Sequence, residues 1–375
     1  MYMKVILATG IYPPDIGGPA TYVRALADEL SRREIDVTVV TYSANNEKLI
    51  MKNEKWGVVR VVLGSTPILR WFRYAKALKE VGADADIVYA FSSVSCGVPL
   101  MLARLKKPKK ILRLGGDFVW ERYTAVGGRR SLKEWYEKSF QVFRFAGFQV
   151  WKLLRVFDHI VFSTRFQEEI YEKHFRKLPP HSVIENAMSE GASALHVMHE
   201  PFRLLFMGRF VGFKNLPSLI RAVKELPNVR LTMVGDGSKR KFSSLPRTGA
   251  KRLVRGLLVS DRVMFVDSVS GEEKQKILEN HDLLVLPSLT EISPNSALEA
   301  RACGLPVLLT EETGLSGQLR DGMVIRKLRT PEDIVRAVNE VRGNYQEIAK
   351  QASAPVFRRG WGEVAEEHMR LFEAF

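Results

Sequence analysis

The chain has 375 residues, 46% of them apolar, and its 57 Lys and Arg against 42 Asp and Glu leave a net charge of +15. That length holds two domains with a large core, and no apolar run approaches the roughly 18 residues of a spanning helix. The first apolar run, Val5 to Ala8, is too short for a signal peptide and the two cysteines, Cys96 and Cys303, suggest no bridge, so a reduced, cytoplasmic chain with a polyanionic neighbour is expected.

Short apolar runs alternate with helical stretches, which argues for parallel α/β sheets. The first predicted strand, Lys4–Ala8, leads through Pro13-Pro14 to Gly17-Gly18-Pro19 and a helix over Pro19–Ser31. Glycines let a backbone approach a ligand closely, and a helix start offers N–H donors; a tight turn without a ligand uses the same residues. Further strands fall at Val37–Thr41, Val58–Val62, Ile87–Tyr89, Lys110–Leu114 and His159–Ser163. Asp84-Ala-Asp86 has the spacing of a metal-binding pair, but it precedes a strand in a turn. Gly115-Gly116-Asp117 follows the strand at Lys110–Leu114, and Asp117 suits substrate orientation, proton transfer or a helix cap. Arg104–Arg113 holds six cations, and Arg129–Arg155 holds seven cations with seven aromatic residues. A helix over Ser131–Arg155 would set Lys133, Arg144 and Arg155 on one face near Phe148 and Trp151. Such a face fits an anionic membrane or is simply solvated.

Asn186 to Pro201 shows no clear period and reads as the passage between two Rossmann-like domains, 1–186 and 187–358, with residues 359–375 forming a terminal helix. His196 and His199 lie there without a third metal ligand nearby. Strands follow at Arg203–Met207, Arg230–Val234, Val263–Phe265, Leu283–Leu286 and Pro306–Leu309, with helices over Leu216–Glu225, Gly271–Glu279 and Ser296–Cys303. Gly208-Arg209 and then Lys214 follow the first of these strands. A fork donor and a point charge at a strand end suit a diphosphate, although a solvated basic loop has the same composition. Gly235-Asp236-Gly237 ends the next strand in a turn. The most informative stretch is Glu291-Ile-Ser-Pro-Asn-Ser-Ala-Leu-Glu299. Pro294 keeps Glu291 in a loop, and the helix begins near Asn295 or Ser296, so Glu299 falls just past its first turn. Two carboxylates and a helix start at the carboxyl end of a buried strand stand where open α/β sheets bind ligands.

That spacing, with Ala302-Cys-Gly-Leu-Pro306 and the three glycine-containing motifs, resembles the signature of family 4 retaining nucleotide-sugar glycosyltransferases, over nearly the whole chain. The resemblance implies two Rossmann-like domains facing across a cleft (the GT-B fold), the donor on the second and the acceptor on the first. It also implies that the last helix packs back on the first domain. Arg209 and Lys214 would hold the donor diphosphate, beside Gly208, and Glu299 would bind the ribose hydroxyls. Glu291 would contact the transferred sugar, with Ser293, Pro294, Asn295 and Ser296 around the sugar and phosphate. Gly17 and Gly18 would lie against the donor phosphate, while Asp236 and Gly237 shape the base pocket. Many relatives carry a histidine near the place of Asp117, and Gly with a bulky apolar residue where Ile292 and Ser293 stand, so the sugar pocket differs in detail. No metal and no cofactor are expected. The expected partners are a nucleotide-sugar and a glycan or lipid-linked acceptor, with peripheral membrane contact through Arg104–Arg113 and Arg129–Arg155 at the inner face. No nucleic acid is expected. An epimerase of the same fold and a nucleic-acid-binding protein are the alternatives.

Overall fold

A computed structural model describes residues 3–43, 50–51, 55–140, 144–188, 194–235, 247–355, 357 and 359–375. In chain order its first elements are β1 (Lys4–Ala8), α1 (Gly18–Arg32), β2 (Asp36–Ser43), β3 (Ile50–Met51), β4 (Gly57–Val62), α2 (Pro67–Gly82), β5 (Ile87–Ala90), α3 (Val98–Ala103), β6 (Lys109–Leu114), α4 (Phe118–Ala125), α5 (Leu132–Lys138), α6 (Arg144–Leu154), β7 (His159–Phe162), α7 (Arg165–His174) and β8 (His181–Val183). The rest are β9 (Phe202–Met207), α8 (Leu216–Glu225), β10 (Val229–Val234), α9 (Arg247–Gly256), β11 (Val263–Val266), α10 (Gly271–Glu279), β12 (Leu283–Leu286), α11 (Asn295–Ala302), β13 (Val307–Thr310), β14 (Val324–Arg326), α12 (Pro331–Gly343), α13 (Tyr345–Ser353) and α14 (Trp361–Glu373).

Two compact units result. The first comprises Met1–Phe118, Phe140–Ala187 and Arg359–Phe375; the second comprises Val119–Ser139 and Met188–Arg358. The first holds a sheet in the order β3-β4-β2-β1-β5-β6-β7-β8, and the second a sheet in the order β11-β10-β9-β12-β13-β14. Apart from the β3–β4 pair, the described pairings are parallel. Parallel strands are covered on both faces, which explains why Val5–Ala8, Ile87–Ala90 and Leu283–Leu286 are buried along their whole lengths.

Three aspartates tie strand starts together. Asp86 Oδ2 accepts from Lys4 N at 2.9 Å, Asp158 Oδ2 from Lys110 N at 2.8 Å, and Asp282 Oδ2 from Arg203 N at 2.7 Å. Each carboxylate precedes one strand and accepts an N–H from the first or second residue of its neighbour. The Asp84-Ala-Asp86 pair is thus occupied with the fold: Asp84 accepts from Lys4 Nζ at 2.9 Å. His199 Nδ1 is 2.7 Å from Asp282, and His196 Nδ1 is 3.1 Å from the His281 carbonyl.

The helix expected over Ser131–Arg155 is two helices, so Lys133 and Arg155 do not share a helix face. Ser139 ends α5, and the ring of Phe140 lies where a Cβ on Gly147 would be, 2.5 Å away. An unbroken apolar period hides such an interruption. Ser131 caps α5 in a capping box with Glu134. In the other basic segment, Arg113 is buried and donates to Ile184 O and Asn186 Oδ1 at 3.0 and 2.8 Å.

Within the first unit α14 packs on the core around β1, β2 and β5. His368, fully buried, donates from Nδ1 to Val364 O at 2.7 Å. Its Nε2 therefore accepts, from Tyr89 OH at 3.2 Å and Tyr22 OH at 3.4 Å. Burial first, then the charge of Arg113, opposed by the Val364 bond, then Arg359, set its pKa at about 3.

Candidate active site

The carboxyl ends of β9 and β12, adjacent strands of the second unit, carry most of the candidate residues. β9 is followed by Gly208, with φ of 153°, and β10 by Gly235, with φ of 140°. The two ends run so close that a Cβ on Gly235 would sit 2.1 Å from Gly208 O, so a side chain is excluded there. Lys214 closes a single 3₁₀ turn over Gly212–Lys214. Asn215 follows with φ of 53°, and its side chain donates to Leu328 O and Arg329 O at 3.1 and 3.0 Å, which anchors the turn. A Cβ on Gly208 would lie 3.8 Å from Lys214 Cε, so the lysine stem passes beside the glycine.

Lys214 Nζ donates to Glu291 Oε1 at 2.5 Å, and Ser288 Oγ donates to the same oxygen. Glu291 is 4% exposed. Its own backbone is stitched to the loop after β13: Glu291 N donates to Glu312 O at 3.0 Å, and Gly314 N donates to Glu291 O at 2.8 Å. Gly208, Lys214 and Glu291 are therefore brought together by the ends of three strands. Arg209 is mostly exposed, with Nη2 3.8 Å from Glu121.

Beyond Glu291 the chain enters α11 through Pro294, and no side chain caps the helix start. Ser293 Oγ is buried and finds no hydrogen-bond partner among the described residues. Asn295 and Ser296 open the helix. Glu299, one turn further, pairs with Lys274 Nζ of α10 at 2.7 Å. Sequence reasoning missed Lys274, because a cation in the middle of a charged helix carries no signal of its target. Arg301, buried behind the motif, donates from Nε to Asp321 O at 2.8 Å and from Nη1 to Ala352 O and Ala354 O, which holds α11 in place.

Sequence reasoning also missed the role of residues 119–139, a strap that packs within the second unit although its sequence neighbours belong to the first. Trp120 is buried and packs on Phe213, next to Lys214, with the rings tilted by 37° and 5.1 Å between centroids. The start of α5 sits on the Glu291 loop. Leu132 N donates to Thr290 Oγ1 at 2.8 Å, Thr290 Oγ1 donates to Glu312 Oε1 at 2.7 Å, and Lys133 N donates to Glu312 Oε1 at 3.1 Å. Glu134 accepts from Arg329 Nη1 at 2.8 Å, the same loop that Asn215 anchors.

Gly17, Gly18 and Asp117 belong to the first unit. Gly17 caps α1, and a Cβ there would meet Ile11 Cδ1 at 2.8 Å. Asp117, buried before α4, accepts from Tyr171 OH at 2.9 Å. Asp236 and Gly237 lie outside the described residues. Among the described residues no three His, Cys, Asp or Glu side chains gather as metal ligands, and no helix is long and apolar enough to cross a membrane.

Two family models match the chain, "Glycosyltransferase Family 4" over residues 16–190 and "Glycosyl transferases group 1" over residues 194–354. An uncharacterized glycosyltransferase of Methanocaldococcus jannaschii is 25% identical over 99% of this chain and 98% of its own length. A D-inositol 3-phosphate glycosyltransferase of Mycolicibacterium smegmatis is 36% identical over 32% of this chain and 27% of its own. Among solved structures, the sucrose-phosphate synthase of Thermosynechococcus elongatus superposes with a TM-score of 0.80 at 18% identity, covering 99% of this chain and 98% of that one. An Anabaena protein, HepE, in complex with UDP and glucose superposes with a TM-score of 0.72 at 15% identity, over 100% of both chains.

Proposed function

The chain belongs to family 4 of the glycosyltransferases, and from that premise we propose that it moves a sugar from a nucleoside diphosphate sugar to a glycan or lipid-linked acceptor with retention of anomeric configuration. The observation that carries the reading is the buried Lys214–Glu291 pair beside Gly208 at the ends of adjacent strands. Each charge of the pair is satisfied by the other. An arriving diphosphate offers Lys214 more negative charge than one carboxylate does, and Arg209 is exposed to join it. Glu291 is then released toward sugar hydroxyls while Ser288 still holds one of its oxygens. Glu299 takes the ribose hydroxyls in exchange for Lys274. The uncapped start of α11 and the buried Ser293 hydroxyl supply donors between the two carboxylates.

As the bond to the anomeric carbon breaks, charge accumulates on the β-phosphate oxygen that leaves it, and Lys214 and Arg209 stabilise that charge in place of a metal. Retention follows if the acceptor attacks the face the diphosphate vacates, with the departing phosphate taking the proton. The two cysteines, buried and with raised pKa, are poor nucleophiles for a two-step route. The binding test is calorimetry with UDP, GDP and ADP sugars. One of them binds the wild type, and Glu299→Ala weakens that binding by roughly 1.5–3 kcal/mol. Unchanged affinity would remove Glu299 from the ribose. Proton NMR of the first product reads the anomeric configuration, and an inverted product would end the retaining reading.

A further inference from the structure

Helix α2 turns Tyr74, Ala75, Ala77, Leu78 and Gly82 inward, and Tyr74 OH reaches Val40 O and Thr9 O at 2.6 and 2.9 Å, which fixes the helix's rotation. Its start is capped by Thr66, whose Oγ1 accepts from Leu69 N at 3.3 Å. The face left outward carries Ile68 at 61% exposure, Phe72 at 58% and Leu69 at 39%, and Leu63 just before the helix is 37% exposed. Four large apolar side chains held in water on one short stretch mark an interaction surface rather than a solvated helix. Further along the same outward face stand Arg73, Lys76 and Lys79. Arg73 and Lys76, with Arg60 of β4, line a cavity of about 400 Å³ whose other walls are Val61, Val62, Ala77 and Glu80.

We propose that this face of α2 and β4 docks on an anionic lipid bilayer, Ile68, Leu69, Phe72 and Leu63 entering the headgroup–acyl boundary and Arg60, Arg73 and Lys76 receiving a lipid phosphate. A soluble anion would use the cations and leave the apolar group unexplained. A nucleic acid would stack on aromatic rings and gain nothing from Ile68, Leu69 and Leu63. The bilayer uses both halves, apolar anchors beside a cationic flank, and the net charge of +15 acts in the same direction. The inference goes beyond the transferase reading, since vesicle binding requires no donor.

The test is sedimentation of the full chain with phosphatidylcholine vesicles, with and without phosphatidylglycerol. The wild type should pellet only with the anionic vesicles. Each cation facing such a leaflet multiplies partitioning about fivefold, so Arg73→Glu/Lys76→Glu should lower it by about 25-fold or more. Ile68→Ser/Phe72→Ser should lower it comparably. Both double variants sit at exposed positions and should keep the wild-type melting temperature and donor affinity. Lys152→Glu/Arg155→Glu on and after α6, where Lys152 lies over Phe148 and Arg155 over Trp151, should bind vesicles as the wild type does. The proposal is overturned if the wild type ignores the anionic vesicles, if it binds neutral ones equally, or if the α2 variants still pellet while the α6 variant does not. Displacement of the protein from vesicles by millimolar glycerol phosphate would reassign the cavity to a soluble anion. A concentration-dependent dimer abolished by Phe72→Ser would reassign the apolar patch to a second copy of the chain.

Discussion

Lys214 and Glu291 neutralise each other at low exposure, which makes the pair costly to break from one side only. Lys214→Ala leaves a buried carboxylate with Ser288 and should cost roughly 3 kcal/mol of stability together with a hundredfold or greater loss of turnover. The double variant Lys214→Ala/Glu291→Gln separates the two effects. In urea melts it should regain most of the lost stability, and in turnover assays it should regain nothing. Recovery of turnover would show that Lys214 acts only as a partner for Glu291. The loop and helix placement of Glu291 and Glu299 was legible from Pro294 and their spacing, whereas strand-end glycines serve plain turns as well as ligands. The pairings were not legible. Lys274 reaches Glu299 from another element, and nothing in a helix reading Gly-Glu-Glu-Lys-Gln-Lys says which lysine points inward.

At the level of elements, the parallel strands were readable as continuous apolar runs, whereas β3, β8 and β14 are too short to show any pattern. The Asp84–Asp86 pair misleads for a physical reason. A carboxylate placed to accept a strand's first N–H has the same sequence surroundings as one placed to hold a cation. The strap makes its own prediction. Thr290 Oγ1 both receives Leu132 N and gives to Glu312, so Thr290→Val orphans a backbone donor and leaves Glu312 with Lys133 N but without the hydroxyl. A cost of roughly 1–3 kcal/mol is expected in denaturant titrations, with kcat falling more than donor affinity. Thr290→Ser should restore both; failure of the serine variant would point to the methyl group instead. Helix α14 predicts a pH dependence. The folded-state pKa of His368 is about 3, below its unfolded value near 6.5, so the unfolded chain binds the proton first as pH falls. Stability from this site is intact above about pH 6.5 and declines below it, by about 2 kcal/mol at pH 5. Urea melts at pH 7.5 and 5 should show a steeper acid loss in the wild type than in His368→Gln; equal losses would mean that His368 is not the group responsible.

For the molecule as a whole, two largely parallel sheets with interleaved helices were expected from the alternation of patterns alone, because a parallel connection needs a long crossover, usually a helix. Chelation is the matching whole-enzyme prediction. If Arg209 and Lys214 meet the leaving-group charge, turnover should survive excess EDTA, and a loss restored by added divalent ion would refute that role. What no pattern revealed is that residues 119–139 pack in the second unit while residues on both sides of them pack in the first.

That arrangement bears on how such enzymes can be recombined. Splicing the halves of two relatives at the 187–188 junction alone would hand the incoming half a foreign Trp120, Glu121 and Glu134 to close around its own Phe213, Arg209 and Arg329. A hybrid that respects the packing needs crossovers after 118, 139, 187 and 358, so that the short inserted piece travels with the partner it covers.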